Sequence, residues 1–133
     1  MTTAATRDWH ALAAALRPDG RVFIEGVRRA AAAEETFACI SPIDGRTITQ
    51  VARGQAADID AAVTSARRAF DDGRWAHRPP AARKKVLLRF AENILAAKDE
   101  LALLETLDMG KPIQHSLGVD VPSSARCIAW YAE

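Results

Sequence analysis

A chain of 133 residues has room for one domain, or part of one, around a real core, and excludes an enzyme with separate cofactor and catalytic domains. Its 18 Lys and Arg balance 17 Asp and Glu to a formal charge of +1, which removes the electrostatic reason to expect nucleic acid or an acidic membrane as partner and leaves a small neutral or zwitterionic ligand. The N-terminal apolar run, Ala11 to Leu16, is far short of the ~20 residues of a membrane span, so a cytoplasmic location is expected by elimination.

From Asp8 to Leu16, the residues Trp9, Leu12, Ala13 and Leu16 recur at helical spacing and predict a short amphipathic lead helix, ended by Pro18-Asp19-Gly20. Arg21 to Val27 reads as a strand with Val22 and Ile24 on one face and Gly26 at a turn position, followed by a linker-like alanine run. Thr36 to Ile40 is a second β-rich run. Ser41-Pro42-Ile43-Asp44-Gly45 has turn chemistry, with Pro presetting φ and Gly accepting the left-handed conformation. Thr47 to Ala52 then alternates polar and apolar residues as a third strand. These pieces predict a hairpin-rich sheet edge, of the kind that pairs with something else.

At Asp58 the period becomes helical: Ile59, Ala62, Val63, Ala66 and Phe70 share a face, Asp58 is placed to cap the start, and Gly73 follows as a stop. The next helix begins near Pro80, where a missing N–H costs nothing, and runs through Leu87, Phe90, Ala91, Ile94, Leu101 and Leu104. Lys98-Asp99-Glu100 marks an interruption, with Asp99 capping a second segment. That segment ends in Glu105-Thr106-Leu107-Asp108-Met109-Gly110-Lys111-Pro112, where Gly and Pro stop the helix. Beyond it, Gly118 and Pro122 weaken the pattern until Ala125, Ile128, Ala129 and Ala132 mark a last amphipathic helix. It reaches Glu133 without a C-cap signal, which predicts a chain that is cut rather than completed.

The seven glycines, at 20, 26, 45, 54, 73, 110 and 118, are too dispersed for a G-x-G-x-x-G or P-loop phosphate cradle. His10, His77 and His115 are scattered. The adjacent His115-Ser116 does not make a nucleophile pair, because neighbours on a helix point apart, so surface or capping roles are expected. Glu105 and Asp108 share a helical face, but no companion nucleophile supports acid–base work. An acid in a last turn opposes the helix dipole, so Asp108 wants a local cation or donor, which Lys111 could supply. Cys39 and Cys127 lack metal or redox spacing and read as buried free thiols. Arg28-Arg29 and Arg83-Lys84-Lys85 read as solvated faces; Trp75, Trp130 and Tyr131 read as packing residues, the last two facing a missing neighbour.

The Glu105 to Pro112 octapeptide resembles the E-T-L-D-x-G-K-P signature of the aldehyde dehydrogenase superfamily. The resemblance extends over Phe23-Ile24-Glu25-Gly26, Thr36-Phe37, Ser41 to Gly45, the Asp58 to Phe70 helix and Pro80-Ala81-Ala82-Arg83. Within the family, Lys111 to Leu117, Ala125-Arg126 and Trp130 to Glu133 are most similar to the γ-glutamyl-γ-aminobutyraldehyde dehydrogenases of bacterial putrescine breakdown. The resemblance implies an α/β fold, here the N-terminal hairpin and first helices of the cofactor-binding domain. Residues 1–20 are then an N-terminal extension and 21–133 an incomplete aldehyde dehydrogenase domain.

It also implies NAD- or NADP-dependent oxidation of an aldehyde to a carboxylic acid by a protein that is a homo-oligomer when complete. In that chemistry a cysteine thiolate attacks the carbonyl, hydride leaves for the nicotinamide, and a glutamate-activated water hydrolyses the thioester. The E-L-G-G, G-Q-x-C and asparagine motifs that supply these groups are absent from the 133 residues, so no catalytic or cofactor-binding residue is assigned, and neither cysteine nor Glu105 is promoted to one. Many members bind a structural monovalent cation through carbonyls after the hairpin strand and through the aspartate of E-T-L-D. The matching positions are Cys39, Ile40 and Asp108. Cys39 stands where the family often has Thr, a change that a carbonyl ligand survives.

Two functional expectations follow. The first is the N-terminal part of an aldehyde dehydrogenase, inactive alone and poorly soluble, because its amphipathic helices would normally cover an absent nucleotide-binding sheet. The second is a free-standing helical interaction module that dimerises or docks on a full-length homologue.

Overall fold

The computed structural model describes residues 7–133; the first six residues of the predicted N-terminal extension lie outside them. Helix α1 spans Trp9–Ala15, with Asp8 as N-cap accepting the amide of Ala11 at 3.0 Å. No residue of α1 is buried, and its partner is α4, described below.

The predicted Arg21 to Val27 strand is instead a hairpin: β1 (Val22–Ile24) pairs antiparallel with β2 (Val27–Arg29), with Val22 opposite Arg29. Glu25 (φ 57°) and Gly26 (φ 78°) both take positive φ, the signature of a tight primed turn that the flanking twist favours. The sequence shows the glycine, but the return strand is hidden because Arg28 and Arg29 read as a charged cluster. The second hairpin follows expectation, β3 (Thr36–Ile40) pairing with β4 (Thr47–Ala52), with a register shift between Cys39 and Ile40.

The segment before β1 is fastened to β4. Thr49 Oγ1 donates to the Pro18 carbonyl and the Ala52 amide to the Gly20 carbonyl, each at 2.8 Å. Gly20 is required there: a Cβ would lie 2.0 Å from the Gln50 carbonyl oxygen.

Helix α2 runs Ala56–Asp71 and starts two residues before the predicted cap. Gln55 is the N-cap and Asp58 is the third helical residue, closing a capping box. The misplacement is local, since a carboxylate reaches back as readily from inside the first turn as from the cap. Gly73 stops the helix with φ 69°.

Helices α3 (Pro80–Ala96) and α4 (Lys98–Met109) break at Ala97, as the interruption predicted. Asp99 does not cap α4; it lies in the first turn, where its charge favours the dipole and its carboxylate meets Arg7. After Pro112 the chain is helical almost without pause: α5 (Ile113–His115), a π-helical turn (Ser116–Asp120) and α6 (Val121–Ala132). Gly118 and Pro122 suggested a looser stretch, but proline is tolerated in a first turn.

The core lies between α3, α4 and α6, where Ala91, Ala102, Leu103, Leu107, Val121 and Ala125 are buried. Three of the six are alanines, which let the helices approach closely around Leu103, Leu107 and Val121, while several large apolar residues remain exposed. Ile59, Val63 and Phe70 of α2 are 60%, 61% and 65% exposed, and Trp130 and Tyr131 at the end of α6 are 78% and 79% exposed. The expected uncovered apolar faces are therefore present, and Trp130 and Tyr131 do not pack.

Candidate functional site

The octapeptide from Glu105 to Pro112 is where hairpin and helical layer meet, and its residues reach different neighbours. Leu107 is buried in the helical core. Thr106 Oγ1 lies 3.4 Å from the fully buried Ser116 Oγ. Asp108 Oδ1 accepts the Cys39 thiol at 3.1 Å, linking the end of α4 to the end of β3. Gly110 takes the left-handed conformation (φ 74°), and its amide donates to the Thr106 carbonyl at 2.9 Å. A Cβ there would come within 3.2 Å of Pro42 Cγ, so the Ser41–Gly45 turn packs directly on the helix stop.

That turn is internally braced. The Ser41 amide donates to the Arg46 carbonyl and the Gly45 amide to the Ser41 carbonyl, both at 2.9 Å, and buried Ser41 Oγ accepts from the Ile43 amide at 3.3 Å. A rigid proline-bearing turn thus meets a rigid glycine stop.

Of the three sequence-predicted ligand positions, the structure brings Cys39 and Asp108 into side-chain contact and places Ile40 beside them, half-exposed at 50%. The register shift between Cys39 and Ile40 interrupts the ladder at that point. A cleft of about 270 Å³ opens between Pro18, Cys39, Thr49, Leu104, Glu105 and Asp108. The Asp108 carboxylate accepts the Cys39 proton and burial disfavours the thiolate, so the Cys39 pKa is raised above the ordinary thiol value. A thiol in this state is a poor nucleophile.

Lys111 does not pair with Asp108. Its Nζ meets Asp120 and lies 3.8 Å from Glu105, and the Asp120 carboxylate leads the effects that raise the lysine pKa. The helix-end acid is satisfied instead by the Cys39 thiol, a donor from 69 positions away that local reading cannot supply. Glu105 and Asp108 therefore serve different partners, and no shared acid–base site forms. The three histidines are exposed, as expected. Both cysteines are free; Cys127 is exposed rather than buried, because α6 turns that face outward. Among the described residues no cluster of three His, Cys, Asp or Glu side chains could hold a metal ion. No helix among them is long and apolar enough to cross a membrane.

Residues 29–133 match the model of the aldehyde dehydrogenase family. The chain belongs to the aldehyde dehydrogenase family. It is 47% identical over 125 residues to the NADP/NAD-dependent aldehyde dehydrogenase PuuC of Escherichia coli, covering 94% of this chain and 25% of that protein. An aminoacetaldehyde dehydrogenase of Pseudomonas aeruginosa is 45% identical over 126 residues, covering 95% of this chain and 25% of the relative. Among solved structures, γ-glutamyl-γ-aminobutyraldehyde dehydrogenase of Burkholderia cenocepacia superposes with a TM-score of 0.92 at 53% identity, over 93% of this chain and 25% of the other. The indole-3-acetaldehyde dehydrogenase of Pseudomonas syringae, solved with NAD+, gives 0.92 at 54% identity, over 94% and 25%. The aldehyde dehydrogenase segment thus spans about a quarter of the length of the relatives it matches. The hairpin and first helices of the family fold, anticipated from the signature, are observed, together with a further hairpin at Val22–Arg29.

Thr106, Ser116, Asp120 and Pro42 were not singled out as a junction by sequence reading. Ser116 had a signal, since Ser116, Val121 and Ala125 follow an apolar or small spacing of five then four. That spacing fits no regular α-helix.

Proposed function

We propose that this segment is the N-terminal part of an NAD- or NADP-dependent dehydrogenase that oxidises an aminoaldehyde, of the γ-glutamyl-γ-aminobutyraldehyde class, to its carboxylic acid in putrescine breakdown. The supporting observation is identity across nearly the whole segment to relatives named for aminoaldehydes. The segment contributes scaffold: it carries no glycine-rich phosphate loop and none of the family's catalytic motifs, so these 133 residues alone are inactive. The intact protein is a cytoplasmic homo-oligomer in this reading.

The test is to follow the open reading frame past the Glu133 codon, express the product, and measure NADH or NADPH formation. Aminoaldehydes are expected to give a higher kcat/KM than indole-3-acetaldehyde or benzaldehyde. A preference for the aromatic aldehydes overturns the substrate class, and aldehyde-dependent NADH formation by the 133-residue chain overturns the assignment of a purely scaffolding role.

Cys39, Ile40 and Asp108 are proposed to hold a structural monovalent cation, the strand residues through their carbonyls and Asp108 through its carboxylate. The interrupted ladder at Cys39 and Ile40, next to a carboxylate at a helix C-terminus, fits such an ion, whose charge would complement the dipole. A higher Tm in sodium or potassium chloride than in choline chloride of equal ionic strength supports it. Equal values, or a cation effect that survives Asp108→Asn, remove it.

The second reading, a module docking on a full-length homologue, is favoured by the outward Trp130 and Tyr131. Failure of the purified chain to capture a full-length relative in a pull-down eliminates it.

A further inference from the structure

Ser116, Val121 and Ala125 are all buried, at 0%, 7% and 2% exposure. Positions five apart on an α-helix of 3.6 residues per turn point about 140° away from one another, so Ser116 and Val121 could not both face α4 and the core in that geometry. The wide turn resolves the conflict. The Val121 amide donates to the Ser116 carbonyl, five residues back instead of four, and brings both side chains to one side. The surplus residue is absorbed outward: a Cβ on Gly118 would meet nothing within 4 Å, and Val119 is 56% exposed.

Two contacts tie this turn to α4 and to the residues just past its end. Ser116 Oγ lies 3.4 Å from Thr106 Oγ1 at its start, and Asp120 meets Lys111 Nζ at its end, with Glu105 3.8 Å from the same nitrogen. The Lys111 side chain is only 32% exposed, so the pair is partly withdrawn from solvent screening.

We infer that the Ser116–Asp120 turn is a one-residue phase corrector, held in its wide register by Lys111 with Asp120, and that this register sets the rotation of α6. Closing the turn to α geometry with every residue kept would roll α6 through part of a turn. Val121 and Ala125 would leave the core, and Cys127, now exposed, would change its surroundings. Removing Gly118 at the same time would cancel the roll, because four residues in an α-helix return to the same face.

The experiment compares the 133-residue chain with Lys111→Met, Lys111→Arg, Asp120→Asn, and Lys111→Met combined with deletion of Gly118. The readouts are Val121 amide exchange and the alkylation rate of Cys127, resolved from Cys39 by mass spectrometry. Lys111→Met and Asp120→Asn are expected to speed Val121 exchange about tenfold and to change Cys127 alkylation by about threefold, as local opening allows. Lys111→Arg retains both values, and the Gly118 deletion returns Cys127 to the wild-type rate, which a merely stabilising ion pair would not produce. Unchanged readouts in both charge-removing variants, or no recovery on deletion, overturn the inference. If Lys111→Met fails to fold, the nearly isosteric Asp120→Asn carries the same readouts; loss of fold in both shows that the pair secures the whole layer rather than the register, and also overturns it.

Discussion

The Cys39 thiol donates to Asp108 Oδ1 at 3.1 Å and so fastens the last residues of β3 to the last turn of α4. The carboxylate favours the protonated thiol, and the folded-state pKa of Cys39 stands above its unfolded value. Stability from this bond is fully present below the unfolded thiol pKa of about 8.5 and is lost as pH rises through the folded value. Asp108→Asn should lower the Cys39 pKa and speed its alkylation severalfold at mildly alkaline pH. Mass-resolved labelling checks this, and an unchanged rate would show that burial alone protects the thiol.

Asp58 supports the fold at the acid end. Its carboxylate accepts the amides of Gln55 at 3.0 Å and Ala32 at 2.9 Å, and these two bonds hold its pKa below the usual carboxylate range. As pH falls, the unfolded carboxyl takes up protons first. The contribution is therefore present above about pH 4 and disappears as pH falls through the depressed folded value. Asp58→Ala should lower Tm at pH 7 and loosen the Ala31–Glu35 segment to proteolysis, with the difference from wild type shrinking in acid. A constant difference across pH would assign the effect to packing.

Two glycines make a matched pair for denaturation. Gly20→Ala forces a Cβ to within 2.0 Å of the Gln50 carbonyl oxygen, a backbone atom with little freedom to move, and should cost about 2–3 kcal/mol in urea unfolding. Gly118→Ala meets nothing within 4 Å and should be neutral or stabilise by up to about 1 kcal/mol. A reversed order would contradict the close approach of Gly20 to β4.

The apolar face of α2 has a measurable consequence. Val63 and Phe70, 61% and 65% exposed, lie on a helix whose principal neighbour is β1. Val63→Glu with Phe70→Glu should reduce ANS binding and self-association of the isolated segment and leave Tm within a few degrees, since almost no core contact is removed. A large fall in Tm would mean that this face is covered in solution.

Much of the architecture was legible because its determinants are local. The turn of Ser41 to Gly45, the strands beside it, the break at Ala97 and the glycine stops at Gly73 and Gly110 follow from residues within a few positions of each other. The signature from Glu105 to Pro112 identified the family for the same reason. The first hairpin was missed because a three-residue return strand of Val27, Arg28 and Arg29 has no periodicity to detect, and its pairing comes from the positive φ of Glu25 and Gly26. The π-helical turn was missed because regular templates carry no five-residue spacing.

By itself, the sequence determined the second hairpin, the main helices and the family, since propensity, period and motif are read along the chain. Only the tertiary structure decided which partner each charged or polar group of the signature takes. Asp108 answers to Cys39, Lys111 to Asp120 and Glu105, and Thr106 to Ser116, because partners separated by up to 69 positions are chosen by how hairpin and helices pack rather than by their order in the chain.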